Sequence, residues 1–130
     1  MPAGARPGSK DHVPPAPETG VLTRERFAAT QEWLRNVPGD QYSIQLLTAG
    51  TPDLHRIEEL LARVAGRNLK LSDFYVYGVK INDQQYYRLA YGLYPTFAEV
   101  NQGIESLPQV YKQFGPYQRS LERMRSQNRQ

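Results

Sequence analysis

Cysteine is absent from this 130-residue chain, which excludes disulfides, thiolate metal sites and a cysteine nucleophile. Histidine is almost absent: His12 and His55 are the only two, too few for a histidine-rich metal site. Long apolar runs are missing as well. Mean hydropathy is -0.65, and no stretch approaches the roughly 20 apolar residues that a membrane-spanning helix needs. Met1 is followed by Pro2, Ala3 and Gly4, not by the basic and apolar segments of a secretory signal. Any export segment is therefore expected outside the sequence shown. Charge of one sign is also scarce. Sixteen Lys and Arg against 13 Asp and Glu leave a net +3, and the excess gathers at Arg6, Lys10, Arg119, Arg123, Arg125 and Arg129. That distribution favours solvated basic ends over a nucleic-acid footprint. Tyrosine is what the chain has in quantity, nine residues in all, and they cluster.

Residues 1–20 carry Pro2, Pro7, Pro14, Pro15 and Pro17 with Gly4, Gly8 and Gly20, the composition of an extended or disordered linker. An accessory helix is expected within residues 21–38, with Thr23 as N-cap and Arg24 to Asn36 helical. Phe27, Trp33 and Leu34 share one apolar face, and Pro38-Gly39-Asp40 ends the helix. Trp33, the single tryptophan, reads as the residue that docks this helix on the domain. From Gln41 the period changes: Tyr42, Ile44 and Leu46 alternate with Ser43 and Gln45, as in a half-buried strand. Thr51-Pro52-Asp53 opens a helix whose stripe is Leu54, Ile57, Leu60, Leu61 and Val64, with Gly66 as its stop. His55 lies off that stripe.

Two aromatic and β-branched runs, Asp73 to Ile81 and Gln85 to Tyr94, flank Asn82-Asp83 and predict a hairpin. A second helix follows on Phe97, Val100 and Ile104, ending before Leu107-Pro108. A last strand is expected over Tyr117 to Leu121, and residues 123–130 read as a basic polar tail. The order β-α-β-β-α-β predicts an α+β fold, a four-stranded antiparallel sheet with both helices on one face, as in ferredoxin-like and RNP-like domains. The other face is then open. Alternation turns Gln45 and Leu47 outward in the first strand, and the hairpin places Tyr75, Tyr77, Val79, Tyr86 and Arg88 together. Tyr117 and Arg119 join them from the last strand. Phe74, Val76, Tyr87, Leu89 and Tyr91 form the opposite, core-facing set. A tyrosine-rich face suits ligands with flat surfaces, nucleobases or pyranose rings, with Gln45 and Arg88 as orienting donors. The same tyrosines would equally serve as cross-strand pairs that stabilise a sheet.

No paired nucleophile and base, Gly-rich phosphate loop or metal-ligand spacing is present. Asp53, Glu58, Glu59, Glu99 and Glu105 read as solvated helix charge. The chain is expected not to be an enzyme and to use no cofactor or metal.

Gln41-Tyr42-Ser43-Ile44-Gln45-Leu46 resembles the opening strand of SPOR domains, the peptidoglycan-binding modules of bacterial envelope proteins. Tyr86-Tyr87-Arg88-Leu89-Ala90-Tyr91-Gly92-Leu93-Tyr94 resembles their third strand. Phe97-Ala98-Glu99, Ile104-Glu105-Ser106-Leu107-Pro108 and Pro116-Tyr117 follow as in the DamX-like cell-division branch. The resemblance runs from about Gln41 to Leu121, within an expected domain over residues 41–122. It implies a periplasmic module, hung by a Pro-rich linker from a membrane-anchored parent. Such modules bind glycan strands stripped of stem peptides and target the parent to the division septum. It also implies ligand-binding positions at Gln45, Thr48, Tyr86 and Tyr117. Two of these are tyrosine where the branch has tryptophan, and one is threonine where serine is usual. Arg88 and Arg119 are further expected to meet the lactyl carboxylates that stem-peptide removal exposes, and Tyr75 and Tyr77 to widen the glycan-binding face. Two alternatives stand beside this: a protein-interaction domain of an envelope protein, and a single-stranded RNA binder using the same topology. The third strand departs from the RNA-recognition pattern at its glycine and central aromatic, so no nucleic acid is expected as partner.

Overall fold

Asn82 and Asp83 both have positive φ, 52° and 66°, the backbone that a two-residue type I′ turn requires and that Asn and Asp tolerate best among non-glycines. In this computed structural model, which describes residues 14–67 and 69–128, that turn sets the register of the sheet. Strand β2 (Phe74–Ile81) and strand β3 (Gln84–Tyr94) pair antiparallel from Ile81↔Gln84 to Phe74↔Tyr91. Strand β1 (Tyr42–Gly50) pairs with β3, and strand β4 (Tyr117–Ser120) pairs with β1. The sheet order is β2-β3-β1-β4, with every pairing antiparallel. The fold is the expected α+β arrangement with a ferredoxin-like order of elements.

One face of the sheet carries the larger core. Helix α2 (His55–Ala65) contributes Ile57, Leu60, Leu61 and Val64, and helix α3 (Phe97–Glu105) contributes Val100. They pack on Ile44, Leu46, Phe74, Val76, Tyr87 and Leu89. A short helix α4 (Gln109–Lys112) adds Tyr111 to the same core. Thr96 caps helix α3, its hydroxyl accepting from the Glu99 N–H at 3.1 Å.

Strand β1 is irregular in a way that simple alternation misses. Gln45 pairs with Ala90 while Leu47 pairs with Leu89, so one extra residue sits in β1 at Leu46, a bulge. Leu46 and Leu47 both enter the core. Leu47, expected outward, is therefore inward, and the bulge brings Gln45 and Thr48, three residues apart, onto the same face. A second register shift lies between Tyr42 and Ile44. There Gly92 has φ +79°, and a Cβ on it would sit 2.8 Å from the Tyr94 ring, so glycine alone fits without strain.

Helix α1 (Val21–Asn36) begins earlier than its apolar pattern indicates. Thr23 is not its N-cap. The Glu58 carboxylate of α2 instead accepts from the Leu22 N–H at 3.2 Å, the Thr23 N–H at 2.8 Å and the Thr23 hydroxyl at 2.9 Å. Glu58 is thus not solvated charge but a cap supplied across the fold, with an anion at the positive end of the helix. Trp33 docks α1, its ring stacked on Tyr75 at 3.5 Å between centroids and 7° between planes.

The chain end differs most from its sequence reading. Leu121 does not close the last strand, and residues 123–128 of the expected basic tail belong to helix α5 (Leu121–Asn128), with 129 and 130 outside the described residues. Leu121 and Met124 are fully buried against Tyr75, Tyr77, Ala90 and Leu34 on the second face of the sheet. Arg125 donates to the Leu34 carbonyl at 2.6 Å and to the Val37 carbonyl, closing the C-terminal turn of α1. At the other end, residues 1–13, most of the expected linker together with His12, lie outside the described residues. Within the same expected linker, Pro14 and Pro17 are buried and the Tyr87 hydroxyl donates to the Pro15 carbonyl, so 14–20 packs on the domain.

If α5 is an integral part of the fold, Met124→Ala will destabilise the domain by about 2–5 kcal/mol, as emptying a buried Met site does. Urea unfolding followed through Trp33 fluorescence reads this directly; a change below about 0.5 kcal/mol would mean that α5 adds little.

Candidate functional site

The second face of the sheet is organised in rows set by strand pairing. Tyr75, Ala90, Gln45 and Tyr117 make one row; Tyr77, Arg88 and Thr48 make the next; Val79, Tyr86 and Gly50 the third. Ser43 and Arg119 pair at the β1–β4 side. All of the expected site residues except the covered tyrosines are drawn together by these rows.

Helices α1 and α5 divide the face. Their apolar residues Leu34, Leu121 and Met124 cover Tyr75 and Tyr77, with Trp33 over Tyr75. Tyr77 is 0% exposed and Tyr75 8%, so neither presents a ring to a ligand. This corrects the expectation that both belong to an open tyrosine surface. The cause is the spacing Leu121, Met124, Asn128, i, i+3 and i+7 on one side of α5, a signal present in the sequence and masked there by the surrounding arginines. Burial pushes the phenol of Tyr77 up from its usual 10.0, against the charges of Arg119 and Arg88, which pull it down. Burial likewise raises Tyr75, aided by Asp73.

The half of the face toward β1 and β4 is only partly covered and forms a strip: Ser43 is fully buried and Gln45, expected as a ligand residue, is only 9% exposed, while Thr48, Arg88 and Arg119 are half-buried. At one end Tyr117 is 42% exposed, and the Arg119 guanidinium lies 5.1 Å from its ring centroid, a cation–π contact. Arg119 donates through Nε to Gln45 Oε1 at 2.7 Å and through Nη2 to the Tyr117 hydroxyl. In the middle, Arg88 donates through Nε to Thr48 Oγ1 at 3.2 Å and through Nη1 to Gln127 Oε1 at 2.7 Å. Gln127, a member of α5, is a strip residue that sequence reasoning did not find, because it lay in the presumed tail.

Tyr86 closes the other end. Its ring lies over Gly50, where a Cβ would come within 3.2 Å of the ring, so the glycine permits the flat approach. Beside it is a cavity of about 430 Å³ lined by Gly50, Thr51, Pro52, Asp53, Gln84, Gln85 and Tyr86. Asp53, read as solvated helix charge, thus borders a concave site next to an aromatic ring. His55 is exposed at the start of α2. Among the described residues, no group of three His, Asp or Glu side chains is placed to hold a metal ion, and no helix is long and apolar enough to cross a membrane.

The pH dependence of stability follows from the covered tyrosines. A neutral phenol is favoured in the fold, so its contribution is fully present below the unfolded-state value near 10 and lost as pH rises through the higher folded value. The urea midpoint will therefore fall above about pH 10, and Tyr77→Phe will blunt that fall. The variant also removes a buried hydroxyl without a hydrogen-bond partner, so at pH 7 it will be no less stable than the parent. No family model matches the chain, and no curated protein matches it at a significant level.

Proposed function

We propose that this domain binds glycan strands of the bacterial cell wall from which stem peptides have been removed, and that it thereby targets its parent protein to the division septum. The observation that carries this is the strip itself. Gln45, Thr48, Arg88 and Arg119 form a hydrogen-bonded polar floor between two tyrosines, Tyr117 and Tyr86. Aromatic rings at the ends of a polar track suit a linear polymer of pyranose rings, whose C–H faces stack on phenols while amide, hydroxyl and guanidinium groups meet its oxygens. The SPOR resemblance points to the same region: of its four implied positions, Thr48, Tyr86 and Tyr117 are at least partly exposed on the strip, and Gln45, nearly buried, is bonded to Arg119 there. A periplasmic setting and a membrane-anchored parent belong to this proposal.

An RNA reading fits the strip less well. Base stacking on an open sheet uses aromatics of its central strands. Here the central strands β1 and β3 bring a single ring to the strip, Tyr86 of β3, beside Thr48 and Arg88, and the covered rings Tyr75 and Tyr77 lie on β2. The protein-interaction reading has no comparable observation in its favour.

Co-sedimentation with purified sacculi, before and after amidase treatment and with single-stranded RNA as competitor, tests the proposal. Binding will rise on stem-peptide removal and be indifferent to RNA. Tyr86→Ala will weaken it by on the order of 1 kcal/mol, about fivefold, with the urea midpoint nearly unchanged. Equal binding to intact and stripped sacculi, or displacement by RNA, would overturn it.

A further inference from the structure

The four arginines that touch the sheet and its covering helices fall into two kinds. Arg26 ends on backbone: its Nε donates to the Phe74 carbonyl at 2.8 Å and Nη2 to the Ser72 carbonyl at 3.3 Å. Arg125 likewise ends on the carbonyls of Leu34 and Val37. Both use their charge to satisfy main-chain acceptors. Arg88 and Arg119 end instead on neutral side-chain oxygens of the strip, those of Thr48 and Gln127 and those of Gln45 and Tyr117. A guanidinium has five N–H donors, so each keeps donors beyond these bonds. Neither meets a carboxylate among the described residues, where the ion pair present is Arg35 with Glu32 on α1.

Both charges act on one further group. The Tyr77 hydroxyl lies buried beneath the strip with no directed hydrogen bond, and the Arg119 and Arg88 charges both bear on it. The fold thus holds two cations on one face, oriented by neutral oxygens and floored by the buried Tyr77 hydroxyl, and among the described residues no carboxylate bonds to either. Both guanidinium groups are half-buried and already oriented, so an anion seated on the strip meets donors held in place, and a carboxylate matches the planar fork of a guanidinium.

We propose that Arg88 and Arg119 form a carboxylate-binding pair, and that the ligand of the strip is a linear glycan with free carboxylates pendant on its rings. This rests on the glycan reading for the stacking part of the ligand and adds the group that gives selectivity. On this basis the domain distinguishes stripped from substituted strands by the charge that amide cleavage uncovers, rather than by the absence of a bulky peptide.

The test uses the full chain, titrated by intrinsic Trp33 fluorescence or calorimetry with three polymers: amidase-treated wall glycan, the same glycan with its carboxylates reduced to alcohols, and oligogalacturonate. Carboxyl reduction is expected to weaken binding about tenfold or more. Arg88→Gln and Arg119→Gln are each expected to weaken binding to the charged glycan by a clearly larger factor than binding to the reduced glycan. Arg35→Gln, which removes the same charge from a remote ion pair, is expected to change nothing. Arg88→Lys, keeping charge without the fork, is expected to fall between Arg88 and Gln. Should a Gln variant lose its fold, the reduced glycan on the unaltered chain still decides. Equal binding to charged and reduced glycan overturns the carboxylate pair and leaves the glycan reading standing. Arginine-dependent binding to oligogalacturonate with none to wall glycan supports the pair and overturns the glycan reading. Binding to none of the three overturns both.

Discussion

The free edge of β2 is the constraint on which the rest of the arrangement depends. An edge strand exposes unpaired N–H and C=O groups, which must be bonded when they are covered. Here side chains do that work where a fifth strand would otherwise stand. Arg26 donates to the Phe74 carbonyl, the Thr30 hydroxyl accepts from the Val76 N–H at 3.0 Å, and Asn128 Oδ1 accepts from the Gly78 N–H at 2.9 Å. The first two lie on α1 and the third on α5. Asn128 is itself held by Gln31 of α1, to which it donates at 2.8 Å. The edge therefore clamps two helices from opposite ends of the domain to one strand.

That clamp decides where a ligand can go. With α1 along β2 and α5 running from the end of β4 to the β2 edge, the second face of the sheet is covered on its β2 side and partly open on its β1–β4 side. Tyr75, Tyr77 and Trp33 become packing residues, a second small core. The polar groups of the face are pushed into the remaining strip, where each makes bonds that fix its direction. Preorganisation of this sort lowers the entropy lost on binding, because the long arginine side chains are already oriented. Gln127 ties the strip to α5 through Arg88, so the ligand-facing groups and the covering helix share a hydrogen bond.

The irregularities of β1 matter as much as its pairing. In a regular strand Gln45 and Thr48 point to opposite faces. The bulge at Leu46 rotates the strand by one residue, so that both face the strip while Leu46 and Leu47 both fill the core. Gly50 then leaves room for the Tyr86 ring at the far end. Site geometry here is a property of backbone exceptions rather than of the regular sheet.

Local patterns in the amino-acid sequence were enough for the N-terminal helix and the β-α-β-β-α-β order that follows it, the pairing of the hairpin and the core-facing set Phe74, Val76, Tyr87 and Leu89, though not for α4 or α5. Each depends on short-range physics, the period of apolar residues and the turn preference of Asn82-Asp83, which acts within a few residues. The docking role of Trp33 was legible for the same reason. What the sequence did not determine was the fate of groups whose partners lie far along the chain. Glu58 caps a helix 35 residues away, Asn128 bonds an N–H 50 residues away, and Arg125 closes a helix about 90 residues away. No local pattern encodes such contacts, since they exist only once the sheet brings its edge and both helices together. The tertiary structure alone therefore decided that a charged tail is a packed helix, and that half of a tyrosine-rich face is core. It also decided that the other half is a strip of two rings and two arginines, whereas the i, i+3, i+7 spacing of Leu121, Met124 and Asn128 was in the sequence and only its packing partner was not.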